Sequence, residues 1–355
     1  MGTAGAALRS AGRRSSGTRL AGAPAPPRQR GQPREGSCGV VFYCPWANAE
    51  TWLSELRACA PELTFVAWPE LDDSAPIEAA VVWRPPAGML RQLPNLRVVC
   101  VMGAGVDYLF GPGIEPPDVP IVRLVDPVMT ERMASYVLAA ILYHQRQLGR
   151  YRAQQAQRVW RQSMHKDTSE VRVGIMGLGA MGRASAALLG AVGYDVAGWS
   201  RRPTSLAGVR CYAGRDQWRP FLARSDVLVC LLPLTPATRG ILSRATFDAL
   251  PEGAVVINAA RGEHLIEADL IAALDAGRLA GAVLDVFSIE PLPEDHPLWR
   301  DPRVLITPHV ASLSNPASGA AQIAAALRAI RAGRAPAHLV DRDDYLQAAP
   351  REASV

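Results

Sequence analysis

Val171 to Pro203 reads VRVGIMGLGAMGRASAALLGAVGYDVAGWSRRP. An apolar run, Val171 to Met176, meets Gly177, Gly179 and Gly182 at GxGxxG spacing, and a helical pattern from Met181 to Val192 stops at Gly193 before a second apolar run, Asp195 to Trp199. That order predicts strand, tight turn, helix and strand. Gly177 permits the turn, Gly179 lets backbone approach a pyrophosphate, and Gly182 lets helix and strand pack closely. The first N–H groups of such a helix, at Ala180 and Met181, face anionic phosphates with the helix dipole behind them. The alternative is a glycine-rich turn that binds nothing, and the second strand directly after the helix argues against it.

The end of that second strand selects the dinucleotide. An NAD site usually places Asp or Glu there to accept from the ribose hydroxyls, whereas this chain has Ser200, Arg201 and Arg202. A carboxylate repels a 2′-phosphate. A hydroxyl and two guanidiniums bind one through charge-assisted hydrogen bonds, so the cofactor read here is NADP(H), against the plainer reading of two arginines on a solvated loop.

The 355 residues suffice for two domains, and 49% apolar residues is the composition of a globular protein. No apolar run approaches the length of a membrane span. The net charge of +5 comes from the tail: residues 1–37 carry seven arginines and one acidic residue, Glu35, leaving the remainder near neutral. A near-neutral body gives nucleic acid no electrostatic footprint. The same tail is rich in Gly, Ala, Arg, Ser and Pro with almost nothing to bury, so it is expected to be disordered; a transit peptide is the less favoured reading. Six cysteines show neither CxxC pairs nor metal-ligand spacing and suit a reducing compartment, the cytoplasm. No metal is expected.

From Val40 the runs VVFYC, LTFVAW, AAVVW and LRVVCVM alternate with helical patterns at Ala49 to Cys59 and, shorter, Gly88 to Leu93. This is the punctuation of a parallel sheet with helices on both faces, whose ligands sit at the carboxyl ends of strands. Two such ends look purposeful. VMGAGVD sets Gly103, Ala104, Gly105 and Val106 just past a strand, where free N–H groups suit a small carboxylate. Trp83 and Arg84 end another, and packing for Trp83 with solvation for Arg84 is an equal alternative. Asp126 to Trp160 reads as one long helix with a stripe through Met133, Val137, Ala140, Ile141 and His144. Strand candidates follow as VLVCLLPL from Val227, AVVINAA from Ala254, GAVLDVF from Gly281 and VLIT from Val304, with helices at Thr246 to Leu250, Glu267 to Ala276 and Pro316 to Ala332, and little order is expected after Val340.

Arg261, Glu290 and His309 each follow one of those later apolar runs. Separately each is bland; together on one sheet they read as an anion clamp, a tuning carboxylate and an acid.

The motifs VWRPP, GAGVD, GLGAMG, WSRRP, LLPLTPATRGIL, NAARGEHLIEADLIAALDAGRLAGAVLDVF, EPLPEDHPLW and RVLITPHVA, in this order over about Val40 to Val340, resemble the D-isomer-specific 2-hydroxyacid dehydrogenases, and among them the reductases that use NADPH on glyoxylate and hydroxypyruvate. The resemblance implies that Arg261 holds the 2-oxoacid carboxylate and polarises its keto oxygen. It implies that His309 protonates that oxygen and that Glu290 fixes the imidazole and stabilises its cation. The backbone of Ala104, Gly105 and Val106 completes the carboxylate site, Trp83 walls the pocket, and Asp285 orients the nicotinamide carboxamide. Leu232, Pro233, Thr238, Asn258 and Ala259 fall among the cofactor positions. The implied fold is α/β with two doubly wound parallel sheets: a flavodoxin-like substrate domain, 38–126 and 313–345, interrupted by a Rossmann nucleotide domain, 127–312. Family members are usually dimers through the nucleotide domain. The competing readings are an NAD-dependent D-2-hydroxyacid dehydrogenase and a dinucleotide-binding corepressor-like protein without catalysis.

Overall fold

Short runs of branched apolar residues bounded by Gly, Pro or charge suit strands buried on both faces, and such strands pair in parallel. In the computed structural model, which describes residues 39–71, 76–111, 114 and 118–346, they do so in two sheets. The expected disorder of residues 1–37 lies outside the described residues.

In the first sheet β1 (Gly39–Tyr43), β2 (Thr64–Ala67), β3 (Ile77–Val82), β4 (Val98–Val101) and β5 (Ile121–Val122) lie in the order β2-β1-β3-β4-β5. All its pairings are parallel, the flavodoxin-like arrangement. In the second, β6 (Arg172–Met176), β7 (Asp195–Ser200), β8 (Arg210–Ala213), β9 (Val227–Cys230), β10 (Ala254–Asn258), β11 (Leu279–Leu284) and β12 (Val304–Ile306) lie in the order β12-β11-β10-β9-β6-β7-β8. The winding direction reverses between β6 and β9. A crevice opens at such a switch point, beyond the strands' carboxyl ends.

The helices in chain order are α1 (Ala49–Cys59), α2 (Pro127–Gln145), α3 (Leu148–Ala156), α4 (Ala180–Val192), α5 (Trp218–Ala223), α6 (Arg244–Ala249), α7 (Glu267–Asp275), α8 (Pro316–Arg331) and α9 (Asp343–Leu346). Two of them show how the chain is threaded. α2 starts at a buried Asp126, which accepts from the Met129 N–H at 3.0 Å, with Pro127 in the first helical position, where its missing N–H costs nothing. It packs against α4, and Met133, Val137 and Ile141 share a core with Val173 and Ile175 of β6. α8 starts at Asn315, which caps the Ser318 N–H, and returns to the first sheet, packing on α1. A Cβ at Gly319 would strike the ring of the fully buried Trp52, so glycine there sets how closely the two helices approach.

The structure corrects four expectations. The single helix over Asp126 to Trp160 is two, because Gln147 takes a left-handed φ of 54°. The buried stripe stops at Ile141 and α3 buries nothing, so no packing holds a common axis. The short helix at Gly88 to Leu93 is a 3₁₀ turn, Leu90–Gln92. VLVCLLPL pairs only as far as Cys230, after which the chain bends across the crevice. Past Val340 the described residues, 341–346, are ordered: α9 buries Tyr345, which stacks on Phe110 with ring centroids 4.7 Å apart.

Candidate active site

The glycines after β6 divide their work as their spacing predicts. Gly177 sits at φ 99°, where any Cβ would press on the Leu231 carbonyl, and a Cβ at Gly182 would overlap the Gly177 carbonyl. Gly179 faces open space. No side chain caps α4, so its first N–H groups, Ala180 and Met181 among them, are left for a ligand. An open cradle ringed by free N–H groups fits a dinucleotide pyrophosphate.

At the end of β7 the Ser200 hydroxyl donates to the Arg202 carbonyl at 2.7 Å and Arg202 is exposed. Arg201 is engaged: its Nη2 lies 2.6 Å from Asp344 Oδ1.

β10 runs into a loop that turns on its own polar groups. Asn258, fully buried, donates from Nδ2 to the Arg261 carbonyl at 2.8 Å and accepts from the Ala260 N–H at 3.2 Å. Its side chain shapes the loop and does not line the cleft, a different place from the cofactor contact expected of it. The loop delivers Arg261, whose Nε donates to Asp107 Oδ1 at 2.9 Å and whose Nη1 donates to the Ala260 carbonyl at 2.6 Å. The remaining nitrogen, Nη2, occupies the space a side chain at Gly105 would need. Both partners of the Arg261–Asp107 pair are 15% exposed, so water screens it little. Beneath the loop His264 is fully buried beside the Pro233 carbonyl, and burial pulls its imidazole down to about 4, keeping it neutral.

Asp285, at the end of β11, is 2% exposed. Its Oδ1 accepts from the Thr307 hydroxyl at 2.6 Å and the Val310 N–H at 2.9 Å, its Oδ2 from the Ala311 N–H at 2.9 Å, and its carbonyl from the His309 N–H at 2.8 Å. In this structure Asp285 is the anchor of the His309 loop, while it also borders the cleft. The anchor matters because His309 holds φ 55°, a left-handed conformation that non-glycine residues adopt at a cost.

Glu290 reaches His309 from the other side, Oε2 lying 2.9 Å from Nδ1. Burial would raise the Glu290 carboxyl, but the hydrogen bond and charge of His309, the Phe287 N–H at 3.1 Å and Arg84 at 3.7 Å together hold it below its ordinary value. With Nδ1 engaged, the imidazole has Nε2 left for the cleft.

These parts border one cleft of ≈600 Å³, a volume suited to a cofactor headgroup and a small acid. Of the residues expected there, Gly177, Gly179, Ala180, Met181, Gly182, Leu232, Pro233, Ala259, Trp83, Gly103, Ala104 and Gly105 line it beside Arg261, Glu290 and His309. Val106 is fully buried beneath, and Thr238 bonds the Pro233 carbonyl at 2.7 Å to hold the loop shape. Trp83 stands between Trp46, centroids 4.9 Å apart, and Tyr108, 5.3 Å away, and a Cβ at Gly103 would strike its ring. Sequence reasoning missed Asp107, Trp46 and Asp344. Asp107 closes the GAGVD motif itself, a signal that was in view, whereas a lone tryptophan and a tail aspartate carry none.

The model for "D-isomer specific 2-hydroxyacid dehydrogenase, NAD binding domain" matches residues 138–311. A protein of Serratia proteamaculans named glyoxylate/hydroxypyruvate reductase A is 43% identical over 307 residues, 85% of this chain and 98% of that one. A D-isomer specific 2-hydroxyacid dehydrogenase from Xanthobacter autotrophicus Py2, solved with NADPH and MES, superposes with TM-score 0.82 at 42% identity, covering 87% of this chain and 100% of that one. The NADPH-dependent glyoxylate/hydroxypyruvate reductase of Sinorhizobium meliloti, solved with NADP and sulfate, gives TM-score 0.82 at 36% identity, covering 87% and 99%. With two sheets of this order, a glycine cradle at the switch point and relatives this similar over nearly their whole length, the chain belongs to the D-isomer specific 2-hydroxyacid dehydrogenase family.

Proposed function

We propose that this protein reduces small 2-oxoacids, glyoxylate and hydroxypyruvate, to 2-hydroxyacids with NADPH. The observation that carries this reading is the pairing of Arg261 with Asp107 and of His309 with Glu290 on one cleft beside the glycine cradle. Residues 38–126 and 313–345 form the substrate domain in this reading, and 127–312 the nucleotide domain. The names of the Serratia and Sinorhizobium relatives support the substrate class, and the NADPH and NADP bound in the solved relatives support the cofactor.

Bound NADPH supplies the hydride. The chain supplies the rest. Arg261 Nη2 and the backbone N–H groups of Ala104 and Gly105 hold the substrate carboxylate, which turns the keto oxygen toward Arg261 and His309. As the hydride forms the new C2–H bond, the C=O π pair moves onto oxygen and His309 Nε2 gives that oxygen its proton. Glu290 then faces a neutral imidazole, which regains its proton from solvent. The test is loss of reduced-nicotinamide absorbance with NADPH and NADH against a panel of 2-oxoacids. Turnover of glyoxylate with NADPH is expected. Preference for NADH favours the NAD-dependent reading, and binding of cofactor without turnover of any 2-oxoacid favours the corepressor-like one.

Although burial would raise it, the Glu290 carboxyl is held below its ordinary value by the hydrogen bond and charge of His309, so it keeps its negative charge against Nδ1 at neutral pH. Reduction in this reading consumes a proton carried by the His309 ring, so the rate is expected to fall toward alkaline pH. Glu290→Gln removes the charge and keeps the shape, and its alkaline limb is expected at lower pH than that of the unaltered enzyme while activity at acidic pH survives. The pH dependence of kcat for glyoxylate checks this; an unmoved limb removes Glu290 from the role.

In this reading the protein works as a homodimer through the nucleotide domain. α3 buries none of its residues, and Trp160 and Met164 just beyond it are 95% and 92% exposed, far more than an isolated chain usually leaves in water. Trp160→Glu combined with Met164→Glu is expected to convert dimer to monomer, read by light scattering of the eluting protein. Free thiols at Cys44, Cys59, Cys100, Cys211 and Cys230 suit the cytoplasm.

A further inference from the structure

Arg201 is held by a carboxylate of its own chain. The partner, Asp344, is 143 residues away in sequence, and Arg201 Nη2 lies 2.6 Å from its Oδ1. Asp344 belongs to α9, which is fastened to the first-sheet side of the cleft: Tyr345 is 8% exposed and stacks on Phe110 with ring planes 9° apart. Phe110 closes the 3₁₀ turn Asp107–Phe110 that follows β4. Arg201 stands on the opposite side, just past the end of β7. Asp344 and Tyr345 both line the cleft, and the ion pair ties their helix to the end of β7 in the second sheet.

The location gives the pair its meaning. The end of the second strand of a Rossmann unit is where the adenosine ribose of a dinucleotide is read. A phosphate there and a carboxylate make the same demand on a guanidinium, two charge-assisted hydrogen bonds from one edge. If Arg201 turns to a 2′-phosphate it leaves Asp344; if it stays, two anions share one cation and repel. A ribose with a free 2′-hydroxyl makes no such demand.

We propose that Asp344 is a specificity-determining residue whose carboxylate occupies Arg201 until a 2′-phosphorylated dinucleotide displaces it, which couples NADPH binding to release of α9 from the second-sheet wall. The proposal rests on the NADPH reading above. It makes the bridge persist with NADH and break with NADPH. Because the pair is partly exposed, Arg201 being 59% and Asp344 31% accessible, its opposition to NADPH is modest.

The test measures binding, by quenching of protein fluorescence or by calorimetry, with NADPH and NADH separately. Asp344→Asn is expected to tighten NADPH roughly two- to five-fold, the range of an exposed ion pair, and to leave NADH unchanged. In an Arg201→Ala background the same substitution is expected to have no effect on NADPH. Hydrogen exchange of the peptide around Tyr345 is expected to rise when NADPH binds and to stay level with NADH. An Asp344→Asn protein with unaltered NADPH affinity, or with equal shifts for both cofactors, overturns the proposal while leaving the NADPH reading intact. A parent protein that binds NADH more tightly than NADPH, with Arg201→Ala silent toward both, overturns both.

Discussion

Replacing His309 with Ala is expected to lower turnover of glyoxylate about 10²- to 10⁴-fold, the usual worth of a positioned general acid. Among the described residues that line the cleft it is the one imidazole. The other cations on the cleft are arginines, Arg84, Arg123 and Arg261, and guanidiniums do not surrender a proton near neutral pH. The imidazole touches the protein through Nδ1 and Glu290, while the glycine cradle lies at the end of a different strand, so NADPH affinity is expected to stay unchanged. Position 309 carries φ 55°, so alanine adds a backbone cost of its own. His309→Asn separates the two effects, because Asn tolerates that conformation and cannot act as an acid at neutral pH. Both variants are expected to lose turnover alike; near-normal turnover in His309→Asn ends the acid assignment.

The parts of this structure legible in sequence are those whose physics is local. The strand, turn and helix around Gly177, Gly179 and Gly182 follow from steric demands within a dozen residues, and the apolar runs follow from burial on both faces. The break at Gln147 was not legible. The polar and apolar spacing of Leu148 to Ala156 suits a helix equally well as a continuation of α2 or as a separate piece, and that no residue of α3 is buried is a tertiary fact. The return of Tyr345 to Phe110 and the clasp of Asp344 on Arg201 are pairings between residues far apart in sequence, for which no period exists. The site divides the same way. Arg261, Glu290 and His309 sit at strand ends and could be found. Their mutual geometry depends on Asp107 from the other sheet and on Asp285, whose carboxylate holds the His309 loop by three hydrogen bonds. A residue such as Asp285 reads as a cofactor contact from its position and as an anchor only from its partners.

Arg261→Ala is expected to be costly in both kinetic parameters. The guanidinium presents charge to the ground-state carboxylate, so its loss raises KM for 2-oxoacids. The same group faces the oxygen on which negative charge develops, so kcat falls as well, by about 10²- to 10³-fold if it behaves as one donor of an oxyanion site does. A second penalty arises on the protein side. Asp107 is 15% exposed and loses its charged partner, and an unpaired, largely buried carboxylate either takes up a proton or drags the 3₁₀ turn toward water. Arg261→Lys is therefore expected to rescue little: an ammonium cannot bond Asp107 and the Ala260 carbonyl while also presenting a third donor beside Gly105. Asp107→Asn keeps the size, removes the charge and leaves Arg261 loosely held. It is expected to fall between the parent and Arg261→Ala in kcat/KM, and to add almost nothing when combined with Arg261→Ala, because the two residues work as one unit. NADPH affinity serves as the control in each case and is expected to stay constant. Full additivity of the two substitutions would mean that Asp107 does not act through the guanidinium. An Arg261→Ala enzyme with parental KM for glyoxylate would mean that the carboxylate is held by another group, for which Arg84, 3.7 Å from Glu290, and Arg123 are the other cations that line the cleft among the described residues.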